Sequence, residues 1–219
     1  ERKVYNRTCA ACQKAVISIY SPNKAALVYC NSCWWNDNWD PISYGKPYDF
    51  SKSFFQQWND LWRAVPKLGL IVWGDGINSD YTNDVLKCVN SYLIFDGEQS
   101  KDSFYGETFH TIQDCTDFLC IKSCELNYET INCTNCYNLQ YSRFSENCSD
   151  SYFLIDCIGC KHCIGCSNLQ QKEYYIFNKP YSQSEYEQIL KDLQFSSYQH
   201  LQDFKQKAEQ FFAQQPKKA

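Results

Sequence analysis

Asp156-Cys-Ile-Gly-Cys-Lys-His-Cys-Ile-Gly-Cys166 places four cysteines at three-residue steps, and the step decides the fold. Counted modulo three from residue 88 to residue 169, ten of the eleven cysteines share one phase: 88, 115, 124, 133, 136, 148, 157, 160, 163 and 166. Only Cys120 departs. The same phase carries Ser91, Ile94, Gly97, Ser100, Ser103, Phe109, Ile112, Phe118, Leu139, Ser142 and Leu154, and no charge. A small or apolar column of that length is one buried face, and neither a helix of period 3.6 nor a flat strand of period 2 has that spacing. A tight solenoid does. With about twelve residues per coil, four side chains point inward and stack along the axis.

The twelve-residue register gathers Cys88, Ser100, Ile112, Cys124, Cys136, Cys148 and Cys160 into one column, and Ser91, Ser103, Cys115, Asn127, Leu139, Ser151 and Cys163 into the next. Asn90, Asp102, Asp114, Asn138 and Asp150 flank the second column on one side, with Tyr92, Phe104, Tyr128 and Tyr152 on the other. Such ladders suit stacked parallel strands, where each rung repeats a contact at about 4.8 Å. Tyr92, Phe104, Tyr128, Tyr152, Asp102, Asp114 and Asp150 are therefore the expected partner-binding face. The bulk of Phe109 and Phe118 argues for a wider coil, with two units per turn as one solution. The phase resembles the small cysteine-rich β-helices of insect antifreeze proteins, but without a Thr ladder no ice binding is expected. Cys157, Cys160, Cys163 and Cys166 line one coil and admit two readings: a second metal or iron–sulfur cluster, or buried thiols packed as small hydrophobes.

Upstream, Cys9-Ala-Ala-Cys12 and Cys30-Asn-Ser-Cys33 have the two-knuckle spacing of a zinc ribbon. Four thiolates around one Zn²⁺ leave no open position for water, so a structural metal is expected. Val16–Tyr20 and Ala26–Tyr29 are expected to form the intervening hairpin around Ser21-Pro22-Asn23. The aromatic run Trp34 to Trp39 should pack the ribbon on its neighbour. Phe54, Phe55, Trp58, Leu61, Trp62 and Val65 recur at helical spacing between a Ser N-cap and Pro66, predicting an amphipathic helix with its stripe in the core. Gly74 to Asp80 reads as a turn. Downstream, Glu173–Asn178 predicts a last strand. Ser182 with Glu185 predicts a capping box before a helix carrying Tyr186, Ile189, Leu190 and Leu193, and a second helix carries Leu201, Phe204, Ala208 and Phe211. These two helices are expected to close the open end of the solenoid.

The expected fold is thus mainly β with helices: zinc ribbon (1–45), amphipathic helix and connecting strand (46–87), parallel β-helix or solenoid of cysteine-rich coils (88–180), and C-terminal helical cap (181–219). The motifs Tyr29-Cys-Asn-Ser-Cys-Trp-Trp-Asn-Asp-Asn-Trp-Asp-Pro41, Tyr48-Asp-Phe-Ser51, Asn78-Ser-Asp-Tyr-Thr-Asn83, Asp150-Ser-Tyr-Phe-Leu-Ile-Asp-Cys157 and Tyr175-Ile-Phe-Asn-Lys-Pro-Tyr-Ser182 span nearly the whole chain. On these residues it resembles a group of uncharacterised zinc-ribbon, cysteine-rich solenoid proteins of candidate-phyla bacteria. The resemblance implies further cysteine knuckles upstream in relatives and carries no activity or catalytic residue.

A net charge of −4 argues against non-specific binding to a phosphate backbone, and no apolar run is long enough to span a bilayer. The odd total of 15 cysteines, four of them in a metal-ligand pattern, favours a reducing, cytoplasmic location over a secreted disulfide scaffold. The chain starts at Glu1 and has no Met, which leaves processing of the natural N-terminus open. No nucleophile motif accompanies His110, His162 or His200. A non-enzymatic scaffold presenting its Asx and aromatic face to a protein or polymeric partner is the expected function. Two alternatives stay open: a carbohydrate-active β-helix enzyme using Asp102, Asp114, Asp117, Glu125 and Glu129, and nucleic-acid binding through Lys3, Arg7, Lys14 and Lys24 with Trp34 or Trp35 stacking on bases.

Overall fold

A computed structural model describes residues 3–74 and 76–217; Asp75, in the turn read at Gly74 to Asp80, lies outside them. Strands β1 (Tyr5–Thr8) and β2 (Ala15–Ser18) form an antiparallel hairpin, followed by β3 (Val28–Tyr29), the short helix α1 (Asn31–Trp34) and a 3₁₀ turn at Pro41–Tyr44. Helix α2 (Phe54–Ala64) starts at Ser53, whose side chain accepts from the Gln56 N–H. Strand β4 (Lys67–Leu68) then pairs parallel with β3, and the Gly69 carbonyl accepts from the Ile19 N–H at 3.1 Å. The ribbon therefore differs from the expected hairpin: β2 pairs with β1, β3 pairs with β4, and the first cysteine knuckle itself is the β1–β2 turn.

From Val72 onward the chain winds into a β-solenoid of about nine turns. Its strands are β5 (Val72–Trp73), β6 (Asn83–Leu86), β7 (Cys88–Val89), β8 (Tyr92–Lys101), β9 (Phe104–Gln113), β10 (Thr116–Ile121), β11 (Cys124–Glu125), β12 (Tyr128–Ile131), β13 (Tyr137–Gln140), β14 (Ser149–Ile155), β15 (Lys161–Ser167) and β16 (Glu173–Ile176). All pair parallel; apart from β5–β6, where Val72 faces Val85 thirteen residues on, the register is twelve residues, so that Tyr92, Phe104, Thr116, Tyr128, Gln140, Tyr152 and Ile164 form one continuous column. Strand β17 (Lys179–Pro180) closes the last edge antiparallel to β16.

The three-residue phase has a backbone cause. From Asn78 to Phe177 every third residue, other than Gln99 and Thr111, has a left-handed φ between about +45° and +63°, and each stands immediately before a position of the cysteine phase. Extended–extended–left-handed triplets turn the chain at a corner every three residues, which converts the period-2 alternation of a strand into period 3. Asn and Asp tolerate this region better than other non-glycine residues. Asn90, Asp102, Asp114, Asn138 and Asp150 all occupy it, so the Asx ladder is corner chemistry. Its rungs also bond to one another: the Asn90 amide donates to the Asp102 carboxylate at 2.8 Å, and that of Asn138 to Asp150 at 2.9 Å.

Inside, cysteine and serine do the same job. Most inward thiols and hydroxyls donate to the carbonyl two residues back: Cys148 to Glu146 at 3.3 Å, Cys163 to Lys161 at 3.3 Å, Ser151 to Ser149 at 2.7 Å and Ser142 to Gln140 at 3.0 Å. The inner columns thus select small side chains with one donor. Cys157→Ser is expected to change stability by less than about 1 kcal/mol, because the donor is kept, whereas Cys157→Leu overpacks the coil and costs about 2 kcal/mol. Urea unfolding monitored by circular dichroism checks the order.

Phe109 and Phe118 are both buried within coils of twelve residues; no wider coil is needed. Each ring lies over a glycine one coil earlier, Phe109 over Gly97 and Phe118 over Gly106. A Cβ on Gly106 would stand 2.1 Å from the Phe118 ring. The two rings meet edge to face at 5.8 Å.

Helix α3 (Gln183–Leu193) begins with the expected Ser182–Glu185 capping box, and α4 (Tyr198–Ala213) follows. They cap the C-terminal coils from the side rather than across the open end. Tyr186, Phe204 and Ala208 pack on the outward-facing Phe153, Ile164 and Ile176, and Lys205–Glu129 (2.9 Å) and Arg143–Glu209 (2.6 Å) tie α4 to coils well inside the solenoid. No helix among the described residues is long and apolar enough to cross a membrane.

Candidate functional site

The first knuckle follows β1: the Lys14 carbonyl accepts from the Cys9 N–H and the Cys9 carbonyl from the Gln13 N–H, with Gln13 left-handed. The second follows β3, where the Cys30 carbonyl accepts from the Cys33 and Trp34 N–H groups. The Ala10 N–H donates to the Val28 carbonyl at 2.8 Å and docks one knuckle on the other. The Sγ atoms of Cys9, Cys12, Cys30 and Cys33 lie within 4.8 Å of one another. A tetrahedron with metal–sulfur bonds of about 2.3 Å has edges of about 3.8 Å, and Cys12 Sγ stands 3.8 Å from Cys30 Sγ. The group can hold a metal ion.

Its electrostatics fit that role. Burial opposes ionisation of Cys9, but N–H groups of Cys12, Cys30 and Ala11 and the Cys12 thiol outweigh it and bring the thiol down to about 6. The Cys30 N–H points at Cys9 Sγ at 3.3 Å. Cys33 is pushed up to about 12 by its hydrogen bonds with the Cys30 and Cys12 sulfurs. Four crowded thiols cannot all ionise without a cation between them; a metal supplies it.

The second cysteine group behaves differently. Cys157, Cys160, Cys163 and Cys166 line one coil, as the register requires, but among the described residues the ribbon tetrad is the group whose ligand atoms converge as a metal site does. Each of the four instead donates to backbone carbonyls, Cys160 to Ile158 at 3.7 Å and Cys166 to Ile164 at 3.3 Å among them. Hydrogen bonding to Cys160 and burial push Cys157 and Cys163 up. Cys160 and Cys166 shift the other way, lowered by hydrogen bonds from Cys148, Cys157 and Cys163 and from Cys163 respectively, so the four thiols share protons along the coil. Burial alone raises Cys88 to about 11.

The predicted aromatic face divides. Tyr152 lies against Phe195 of the helical cap, with ring centroids 5.4 Å apart, and Tyr128 packs on Tyr141, over which Lys205 sits. Tyr92 and Phe104 lie beyond the helices. Around them stand Tyr81, Leu93, Tyr105 and Leu119, which belong to neither the Asx nor the aromatic ladder read from the sequence; Tyr105 is 52% exposed. Asp102, Asp114 and Asp150 sit at the corners described above.

The remaining candidates are placed as follows. Asp117 and Glu129 are stacked one coil apart beside α4, around a cavity of about 250 Å³ that Lys205 enters. Burial, then the Glu129 charge, raises Asp117, and Lys205 neutralises Glu129. Glu125 stands on the wall of a separate polar groove of about 670 Å³ with Lys87, Gln99, Thr111 and Tyr137, so the proposed carboxylates do not gather at one cleft. Arg7 is committed to the Ser21 and Ala26 carbonyls at 2.8 and 2.7 Å. Trp34 packs on Trp39 at 4.8 Å, while Trp35 is exposed. No protein-family model and no curated protein matches this sequence.

Proposed function

We propose that this chain is a zinc-stapled, non-enzymatic interaction module that binds a protein partner on the uncovered aromatic flank of its solenoid. Four thiolate ligands with tetrahedral edges suit Zn²⁺, and their closure around the ion gives it a structural role at the entrance to the solenoid. A reducing, metal-supplied compartment suits both this site and the free thiols of the coils.

One observation carries the reading. The flank that α3 and α4 cover at Phe153, Ile164 and Ile176 continues uncovered over the earlier coils through Tyr105, Phe104, Leu93, Tyr92 and Tyr81. The later part of the flank is covered by the chain itself, and the earlier part, beyond Asp117 and Glu129, turns Tyr81, Phe104 and Tyr105 to solvent; exposed aromatic patches of this kind mark interaction sites. Hydrolysis has weaker support, because Asp117 and Glu129 are engaged with the helical cap. Nucleic-acid binding loses Arg7 and Trp34 to structural contacts.

A photo-crosslinking residue at Tyr105, with Glu146 as the control position on another face, tests the reading in native lysate. A discrete protein adduct at position 105 and none at 146 is expected. Equal or absent labelling at the two positions contradicts it.

A further inference from the structure

A second surface of this chain is as poorly covered as the solenoid flank. Helix α2 is amphipathic, yet Phe54, Phe55 and Trp58 are 56%, 79% and 57% exposed. Its C-terminal half is anchored: Trp62 meets Tyr20 edge to face at 6.2 Å, and Lys67 lies 4.9 Å from the Trp62 ring. The N-terminal half presents the stacked rings of Phe54 and Trp58, 6.3 Å apart, to solvent. A sequence pattern that builds an apolar stripe normally buries it.

The molecule itself displays what fits the flank. Along one column, at twelve-residue steps, run Tyr81, Leu93, Tyr105, Asp117, Glu129, Tyr141, Phe153 and Phe177, the last after Gly165. On its later half lies α4, an amphipathic helix with Phe204 stacked on Phe177 at 5.3 Å and near Phe153 at 5.1 Å, and with Lys205 paired to Glu129. The earlier half offers the same combination of aromatic rungs and acidic margin. Beside it is a depression of about 280 Å³ between Leu93, Phe95, Tyr105 and Leu119, of a size to take an aromatic ring.

We infer that α2 of a second copy occupies this earlier half, so that two chains pair reciprocally, each laying α2 on the other's flank. The inference rests on the reading of that flank as an interaction surface and names its occupant. Two features support it. The contact would continue the existing α4–solenoid interface. The charges do not oppose it: from Cys88 to Ile121 the solenoid has a single cation, Lys101, which lies on the wall of the polar groove, while α2 brings Arg63 beside Asp60 and the preceding Lys52 pairs with Asp49 at 3.4 Å. The area suffices as well: at about 200 Å² per aromatic side chain, the exposed portions of Phe54, Phe55 and Trp58 and of the flank residues Tyr81, Phe104, Tyr105 and Leu119 add up to roughly 1,400 Å² over the two contacts, within the range of stable interfaces. Two identical contacts close a two-fold dimer without leaving an open surface.

Sedimentation of the full-length, metal-loaded chain tests this. The wild-type protein is expected to be a dimer. Phe54→Ser/Trp58→Ser and, independently, Tyr105→Ser/Leu119→Ser are each expected to give monomers with unchanged circular dichroism, since all four side chains are exposed. The crosslinker at Tyr105 is expected to give an adduct of two chains whose mapped peptide contains residues 54–63. A wild-type monomer at the highest soluble concentration overturns the inference, as does a dimer that survives the Tyr105→Ser/Leu119→Ser change. A monomer whose position 105 still crosslinks a different protein overturns the second copy and leaves the interaction flank standing. No adduct of any kind at position 105 removes both.

Discussion

Gly106→Ala is expected to destabilise the solenoid by about 3 kcal/mol, at the upper end of overpacking effects. The expectation follows from the stacking of the coils. Gly106 has an ordinary backbone conformation, with no positive φ, so alanine brings no torsional penalty there. The cost is steric: the new methyl would stand 2.1 Å from the ring of Phe118, which is buried and wedged against Phe109. Phe118→Ala removes the ring and costs about 3–5 kcal/mol through the cavity it leaves. The double variant Gly106→Ala/Phe118→Ala is expected to be less destabilised than the sum of the two, by about 1–3 kcal/mol, since the added methyl enters space the ring has vacated. Urea unfolding of the four proteins gives the coupling directly. Additive effects would mean that residues 106 and 118 are not stacked in twelve-residue register.

Cys30→Ser is expected to abolish metal binding and unfold the ribbon while leaving the solenoid folded. Apart from a metal, the N-terminal unit is held by a four-residue antiparallel hairpin, a two-residue parallel pair, the Arg7 hydrogen bonds and a few ring contacts. Structural zinc contributes apparent binding energies of about 10–16 kcal/mol in small zinc-dependent folds, far more than those strands supply. Amide hydrogen exchange is expected to show residues 5–35 losing protection and residues 115–167 keeping it. Cys120→Ser, at an exposed corner outside the inner columns, is expected to change neither. Loss of protection throughout the chain would show instead that the ribbon nucleates the coils.

Two features were legible in the sequence because each has a local physical cause. The knuckle spacing alone brings Cys9, Cys12, Cys30 and Cys33 together. The three-residue phase records a left-handed corner before nearly every inward position, Ser100 and Ile112 being the exceptions, and Asn and Asp mark many of those corners. The coil width has a sequence signal too: a glycine stands twelve residues before each of Phe109 and Phe118. Other features depend on partners that periodicity does not name. Val28 finds Lys67 across a long stretch of chain, so no local pattern announces that β3 pairs with β4 instead of β2. Tyr141, Phe153 and Ile164 lie off the cysteine phase, and the seat of the C-terminal helices on the flank follows from them. The stripe of α2 identifies an apolar face without supplying anything within the chain to cover it.

The cysteines divide by role: four form a group that can hold a metal and ten are buried rungs of a solenoid, with Cys120 the one left over. Counting reactive thiols in the native protein, before and after chelation, while measuring released metal, tests this division most directly. The prediction is one reactive thiol before chelation, five after it, and one zinc released per chain, with the remaining ten reacting only on unfolding. Early reaction of the interior thiols, or release of iron or of a second metal ion, would contradict it.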